Sequence, residues 1–178
     1  PANPKYIPKP YEAMQYPGQR VQIDVKHFPV VCIESTSHGS RKYYQYTAID
    51  DYSRFRYMEG FDEISTYSSA VFLQKMLKVF KFKVECVQTD NGPEFTNRFT
   101  SNKGRPTLFN VGRPYTPRHN GKGERSHRKD NEYFYATHKF YSLTDFQQQL
   151  KTHNRKYNNF PMHPLNWLSP ADYQKNFH

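Results

Sequence analysis

From Val21 onward, apolar Val21, Ile23 and Val25 alternate with polar Gln22, Asp24 and Lys26. A period of two is the pattern of a strand with one buried face. It places a carboxylate, Asp24, in the middle of an apolar strand, which is costly unless the acid is paired or bound to a cation. The strand extends to about Val31 and is followed by two more, Tyr43 to Asp50 and Arg54 to Phe61, with Asp51-Tyr52-Ser53 as the turn of a hairpin. Ser65 or Thr66 then caps a helix running to about Phe80, with Phe72, Met76, Val79 and Phe80 on one stripe. Val84 to Thr89 is a short apolar strand that stops at Asp90, where Asn91-Gly92-Pro93 turns the chain, and Leu108 to Val111 is a fifth strand.

Gly112 to Gly123 has the composition of a loop, and a helix is expected from about Lys122 to His138. Ser142-Leu143-Thr144-Asp145 resembles a capping box and opens a last long helix, with Leu143, Phe146, Leu150 and Tyr157 on one face. A short turn is expected around Pro170 to Tyr173. Three strands, a helix, two strands and two helices make an α/β fold, with a hairpin at one edge of the sheet and helices on its faces. The expected organisation is one core domain, residues 20–160, between a proline-rich N-terminal arm or linker, residues 1–19, and a C-terminal extension, residues 161–178.

The chain carries 26 Lys+Arg against 16 Asp+Glu, a formal net charge of +10. Such an excess attracts phosphates and speeds encounter with nucleic acid. No apolar run approaches the roughly 18 residues of a membrane span. Cys32 and Cys86 lie in apolar runs without a Cys-x-x-Cys pair and read as reduced core thiols. The histidines show no zinc spacing.

Against this basic background three acids stand out: Asp24, Asp90 and Glu124. Hard divalent cations prefer carboxylate oxygen and water. Two such ions roughly 3.5–4 Å apart activate the attacking oxygen and steady the leaving one when a phosphodiester is broken. Asp24 on a rigid strand suits the bridging role, Asp90 sits where a strand ends, and Glu124 falls in the first turn of the expected helix. Lys122, Arg125, Arg128 and Asn131 would present a basic and polar face to DNA beside them. Asn120, Arg113, Arg118 and His119 would shape the entry loop or follow the DNA backbone. Tyr115, Tyr133 and Tyr135 read first as packing residues, with base stacking as the alternative, and Asp50 and Asp51 as acids of the hairpin.

The motifs Gln22-x-Asp24, Asp90-Asn91-Gly92-Pro93-Glu94-Phe95 and Pro117-x-x-Asn120-Gly121-x-x-Glu124 resemble those of the catalytic core shared by retroviral integrases and bacterial insertion-sequence transposases, the DDE recombinases. The 33 residues between Asp90 and Glu124 are slightly fewer than is common there. The resemblance implies a ribonuclease H-like fold, a five-stranded mixed sheet with helices on both faces. It implies Asp24, Asp90 and Glu124 as catalytic and metal-binding residues for two Mg²⁺ or Mn²⁺ ions. It further implies DNA 3′-end cleavage and strand transfer on double-stranded DNA by a homo-oligomer, at least a dimer, in the cytoplasm at a bacterial nucleoid. The competing expectations are a ribonuclease-H-like nuclease and an inactive DNA-binding domain of the same fold.

Overall fold

The computed structural model describes residues 13–27, 42–90, 92–96, 108–111, 128 and 130–177. Strands β1 (Val21–His27), β2 (Tyr44–Asp50), β3 (Arg56–Phe61), β4 (Cys86–Thr89) and β5 (Leu108–Val111) form one sheet in the order β3-β2-β1-β4-β5. The first three strands pair antiparallel, and β4 and β5 continue the sheet parallel to β1. This is the expected five-stranded mixed sheet.

The alternation in β1 sorts its side chains onto two faces. Val21 and Ile23 join Tyr46, Ala48 and Val87 beneath α1 (Thr66–Val79), whose Phe72, Leu73 and Met76 are fully buried. The opposite face packs Tyr43 and Met58 against Phe134, Tyr135 and Phe140, and against Phe146 and Leu150 of α2 (Leu143–Asn158). Each buried Phe or Leu contributes about 1.5–3 kcal/mol of transfer free energy. Helices therefore lie on both faces, as expected. Val79 is a correction: it is exposed, because α1 ends there and turns only Phe80 inward.

Side-chain caps set the helix boundaries. Ser65 Oγ accepts from Ser68 N at 3.0 Å at the start of α1. Ser142 Oγ accepts from Asp145 N at 3.0 Å at the start of α2. The Asp145 carboxylate accepts from Tyr141 N at 3.1 Å, one residue earlier than a capping box requires. A short helix, α3 (Pro170–Tyr173), forms at the expected turn with Ser169 as its cap.

The hairpin departs from expectation. β3 starts at Arg56, not Arg54, because Arg54 adopts φ 59° and donates its N–H to Asp50 O at 2.9 Å. Asp50 and Asp51 are buried. The Asp50 carboxylate accepts from Gly18 N, Ser53 N and Ser53 Oγ, and Asp51 accepts from Gln22 Nε2 at 2.9 Å and pairs with Arg20. Phe28 to Val31, expected to prolong β1, lie outside the described residues, as does Cys32. Cys86 is buried and forms no disulfide.

Gly18 joins three elements. Its N–H reaches Asp50 at the end of β2, and its carbonyl accepts from Glu85 N just before β4 at 2.8 Å. Its φ is +83°, and a Cβ there would overlap the Lys83 carbonyl oxygen, which is backbone and cannot step aside. Gly18→Ala is expected to lower stability by about 2–4 kcal/mol in urea unfolding. An unchanged midpoint would show that this crossing is not rigid.

β3 is one edge of the sheet, and α2 lies along it. At Gly60 a Cβ would run into the Phe146 ring, so glycine lets the helix approach. Gln147 Nε2 donates to Gly60 O at 2.7 Å. The Asn158 amide brackets Arg56, accepting from its N–H at 2.9 Å and donating to its carbonyl at 2.7 Å. These amides satisfy outward backbone groups that an edge strand would otherwise expose.

Candidate active site

The parallel pairing of β1 and β4 builds the site. Val21 stands opposite Val87 and Gln22 opposite Gln88. Two residues farther along each strand are Asp24 and Asp90. With a side-chain period of two, Gln22, Asp24 and Lys26 share one face of β1, away from the α1 core. The sheet register thus brings the two carboxylates together although 65 residues of chain lie between them.

Each acid is held locally. Asp24 Oδ1 accepts from Val25 N at 3.0 Å. Asp90, the first residue beyond β4, accepts from Gly92 N at 3.1 Å in an Asx turn. Partial burial pushes the Asp90 carboxyl pKa up. The Gly92 N–H opposes that shift, and the negative charge of Asp24 adds to it. Two neighbouring carboxylates form an all-oxygen donor set, which suits a hard divalent cation.

Lys26, two residues past Asp24, reaches the helical segment that follows the expected position of Glu124. Its ammonium hydrogen-bonds Asn131 Oδ1 and lies 4.7 Å from the centre of the Tyr135 ring. Asn131, expected on a DNA-facing surface, is exposed, and its amide oxygen accepts from Lys26. Arg128 is exposed and forms an i,i+4 pair with Glu132 at 3.2 Å. Both groups are well exposed, and such a pair contributes little.

Among the described residues this segment is α-helical at Arg128 and Asp130, then π-helical over Asn131–Tyr135, instead of continuing as an α-helix to His138. Phe134 and Tyr135 are both buried while Tyr133 is exposed, so Tyr135 packs and Tyr133 is presented to solvent. Glu124, Lys122, Arg125, Arg113, Arg118, His119, Asn120 and Tyr115 lie outside the described residues. Among the described residues, no three His, Cys, Asp or Glu side chains gather closely enough to hold a metal ion.

A buried charge network went unnoticed in the sequence. Asp130 accepts from Arg56 Nη1 at 2.9 Å, from His153 Nε2 at 2.8 Å and from Gln45 Nε2 at 3.2 Å. Arg56 is fully buried and lies 3.8 Å from the centre of the Tyr157 ring. Burial pushes the Asp130 carboxyl up, but the Arg56 charge and the His153 bond outweigh it and hold the group well below the usual carboxylate range. The available signal was spacing. Asp130 sits four residues before the apolar Phe134, and Arg56 two before Met58, both at inward-facing positions.

The family model described as the integrase core domain matches residues 15–157. The chain belongs to the integrase core domain family. A curated relative, "Putative integrase ORF3" of Spiroplasma virus SpV1-C74, is 26% identical over 172 residues, covering 86% of this chain and 46% of its own length. The chain thus spans about half the length of the curated relative it matches.

Solved integrase structures share the fold. The HTLV-2 integrase catalytic core domain in complex with magnesium, in its trimeric form, superposes with a TM-score of 0.65 at 16% identity, covering 89% of this chain and 97% of that one. The BIV integrase catalytic core domain gives 0.63 at 17% identity, with 89% and 95% covered. A chain of the simian T-cell lymphotropic virus intasome in complex with PP2A regulatory subunit B56 gamma gives 0.71 at 17% identity, with 97% and 60% covered. The ribonuclease H-like architecture expected for this integrase core is therefore the one it has. Among the described residues no helix is long and apolar enough to cross a membrane.

Proposed function

We propose that this integrase core is the catalytic domain of a DNA recombinase that cleaves DNA to free a 3′ end and joins that end to target DNA. The observation that carries the reading is the side-by-side placement of Asp24 and Asp90 on neighbouring parallel strands of an integrase core. Glu124, seven residues before Asn131, completes the trio in this proposal. The three carboxylates would hold Mg²⁺ or Mn²⁺, as the magnesium complex of the HTLV-2 core supports. When bound, two such ions would activate the attacking oxygen and cover the charge on the leaving one.

The remaining work belongs to the chain. The net charge of +10 draws the DNA backbone in, with salt-sensitive contacts. In this reading Lys122, Arg125, Arg128, Asn131, Arg113, Arg118, His119 and Asn120 face the DNA. Water attacks the phosphodiester at an element end and the strand leaves with a free 3′-OH. That hydroxyl then attacks a phosphodiester of the target, so no covalent protein–DNA bond forms. The trimeric and dimeric forms of the HTLV-2 core support self-association, and a homodimer or larger assembly would bridge two DNA ends. A bacterial nucleoid would supply the target.

A strand-joining assay tests the reading. A duplex carrying the element's end with a pre-cut 3′-OH, mixed with plasmid and Mg²⁺, is expected to give joined products. Hydrolysis without joining, or preferential cutting of RNA–DNA hybrids, would replace it with a ribonuclease-H-like nuclease.

A further inference from the structure

We propose that the loop at residues 162–168 presents Trp167 as a platform on which an unpaired base of DNA stacks. The inference rests on the reading that this chain acts on DNA, and adds to it a contact made by none of the residues assigned above. The chain's one tryptophan stands where the backbone disfavours it. Asn166 and Trp167 both have positive φ, 53° and 62°, and Leu168 N donates to Leu165 O at 3.0 Å across them. That is the pattern of a type I′ turn, whose second central position commonly holds glycine. A bulky side chain there is strained. Burial does not compensate, because Trp167 is 68% exposed. Its ring meets that of His163 at nearly a right angle, with 5.5 Å between centres. Strain that packing does not repay points to function.

The turn is clamped from both sides. Met162 N donates to Leu168 O and Trp167 N to Met162 O, each at 3.0 Å, and Leu165 is buried. The indole is held ready, so little order is lost when a flat ligand covers it. The clamp also sets Trp167 beside Met162, two residues past Phe160, which is 66% exposed. Charge selects the partner. From Phe146 to Ala171 the sequence carries Lys151, Arg155 and Lys156 and no Asp or Glu. Lys151 and Arg155 line a groove along α2 whose other walls are Thr144, Gln147, Gln148 and Thr152. Cations and neutral donors suit a phosphate backbone, and exposed aromatic faces suit bases. Within a duplex each base already has both faces stacked, so the fit is to an unpaired one. The cleavage proposed above frees strand ends, where such bases occur.

Tryptophan emission of the whole chain reports on Trp167 alone. A short single strand of mixed sequence is expected to quench it, and the same strand in a blunt duplex to quench it less. By anisotropy of the labelled single strand, Trp167→Gly is expected to bind about tenfold more weakly and Trp167→Phe to recover most of the loss. In urea Trp167→Gly is expected to unfold at an unchanged or higher midpoint, since glycine accepts the positive φ. A lower midpoint would make the ring a structural one and overturn the proposal. So would a single strand that binds without quenching, quenching as strong by the blunt duplex, or wild-type affinity in Trp167→Gly; each leaves the strand-joining reading standing. Emission that tracks protein concentration, with a dimer that Trp167→Gly loses, would overturn it in favour of contact with a second copy. No anisotropy rise with any DNA would instead sink the DNA reading itself.

Discussion

Asp24→Asn is expected to abolish Mg²⁺-dependent nicking, and Glu124→Gln to do the same, each by at least about a thousandfold, while DNA binding stays largely intact. The size follows from the several kcal/mol of charge stabilisation that depend on holding divalent ions. Asparagine matches aspartate in shape, and the Val25 N–H can still find its carbonyl oxygen, so folding is spared. What is lost is a negative charge beside Asp90. Without it the Asp90 carboxyl should titrate at lower pH, because the Asp24 charge is one of the forces raising it. Plasmid nicking and filter binding, measured side by side, check the pair. Nicking that persists in Asp24→Asn would remove β1 from the chemistry, and nicking that persists in Glu124→Gln would remove Glu124.

Arg56→Ala is expected to be the most destabilising substitution, costing about 3–5 kcal/mol, because it leaves the Asp130 carboxylate buried without its main counter-charge. Urea unfolding reads this directly. Converting both partners, as Arg56→Met with Asp130→Leu, should recover much of the loss, since no charge is then stranded. The same pair predicts acid behaviour. The Asp130 pKa is depressed in the folded state, so its stabilisation is fully present above the unfolded carboxylate pKa of about 3.9 and is lost as pH falls below it. Wild-type protein should therefore lose stability more steeply below about pH 4 than Asp130→Asn. Equal slopes would mean that the carboxylate is not held by Arg56 in solution.

Local signals in the sequence located elements well. β5 matches the expected Leu108 to Val111, and Ser65 and Ser142 cap the helices they were expected to cap. These features depend on neighbours within a few residues, which a sequence displays. Arg54 escaped because a left-handed arginine has no residue-type signature, unlike glycine. Val79 was misassigned because it falls on the apolar stripe only if the helix continues past it.

The site divides along the same line. The motifs named Asp24 and Asp90, and the register of β1 against β4 places them together. Arg56, Asp130 and His153 escaped notice because their partners lie 74 and 23 residues away along the chain. Nothing local marks a charge that will be buried. The bond from Lys26 to Asn131 was hidden for a related reason: the two lie 105 residues apart along the chain.

The side-chain amides along β3 bear on how copies of this protein can meet. If copies gather on DNA ends as proposed, an open strand margin would invite one sheet to grow into the next, and fibres follow from such templating. Gln147 and Asn158 seal that margin at Gly60 and Arg56 with side chains of the molecule itself. Strand addition at β3 is opposed there, so the multimers proposed above would be built from other surfaces.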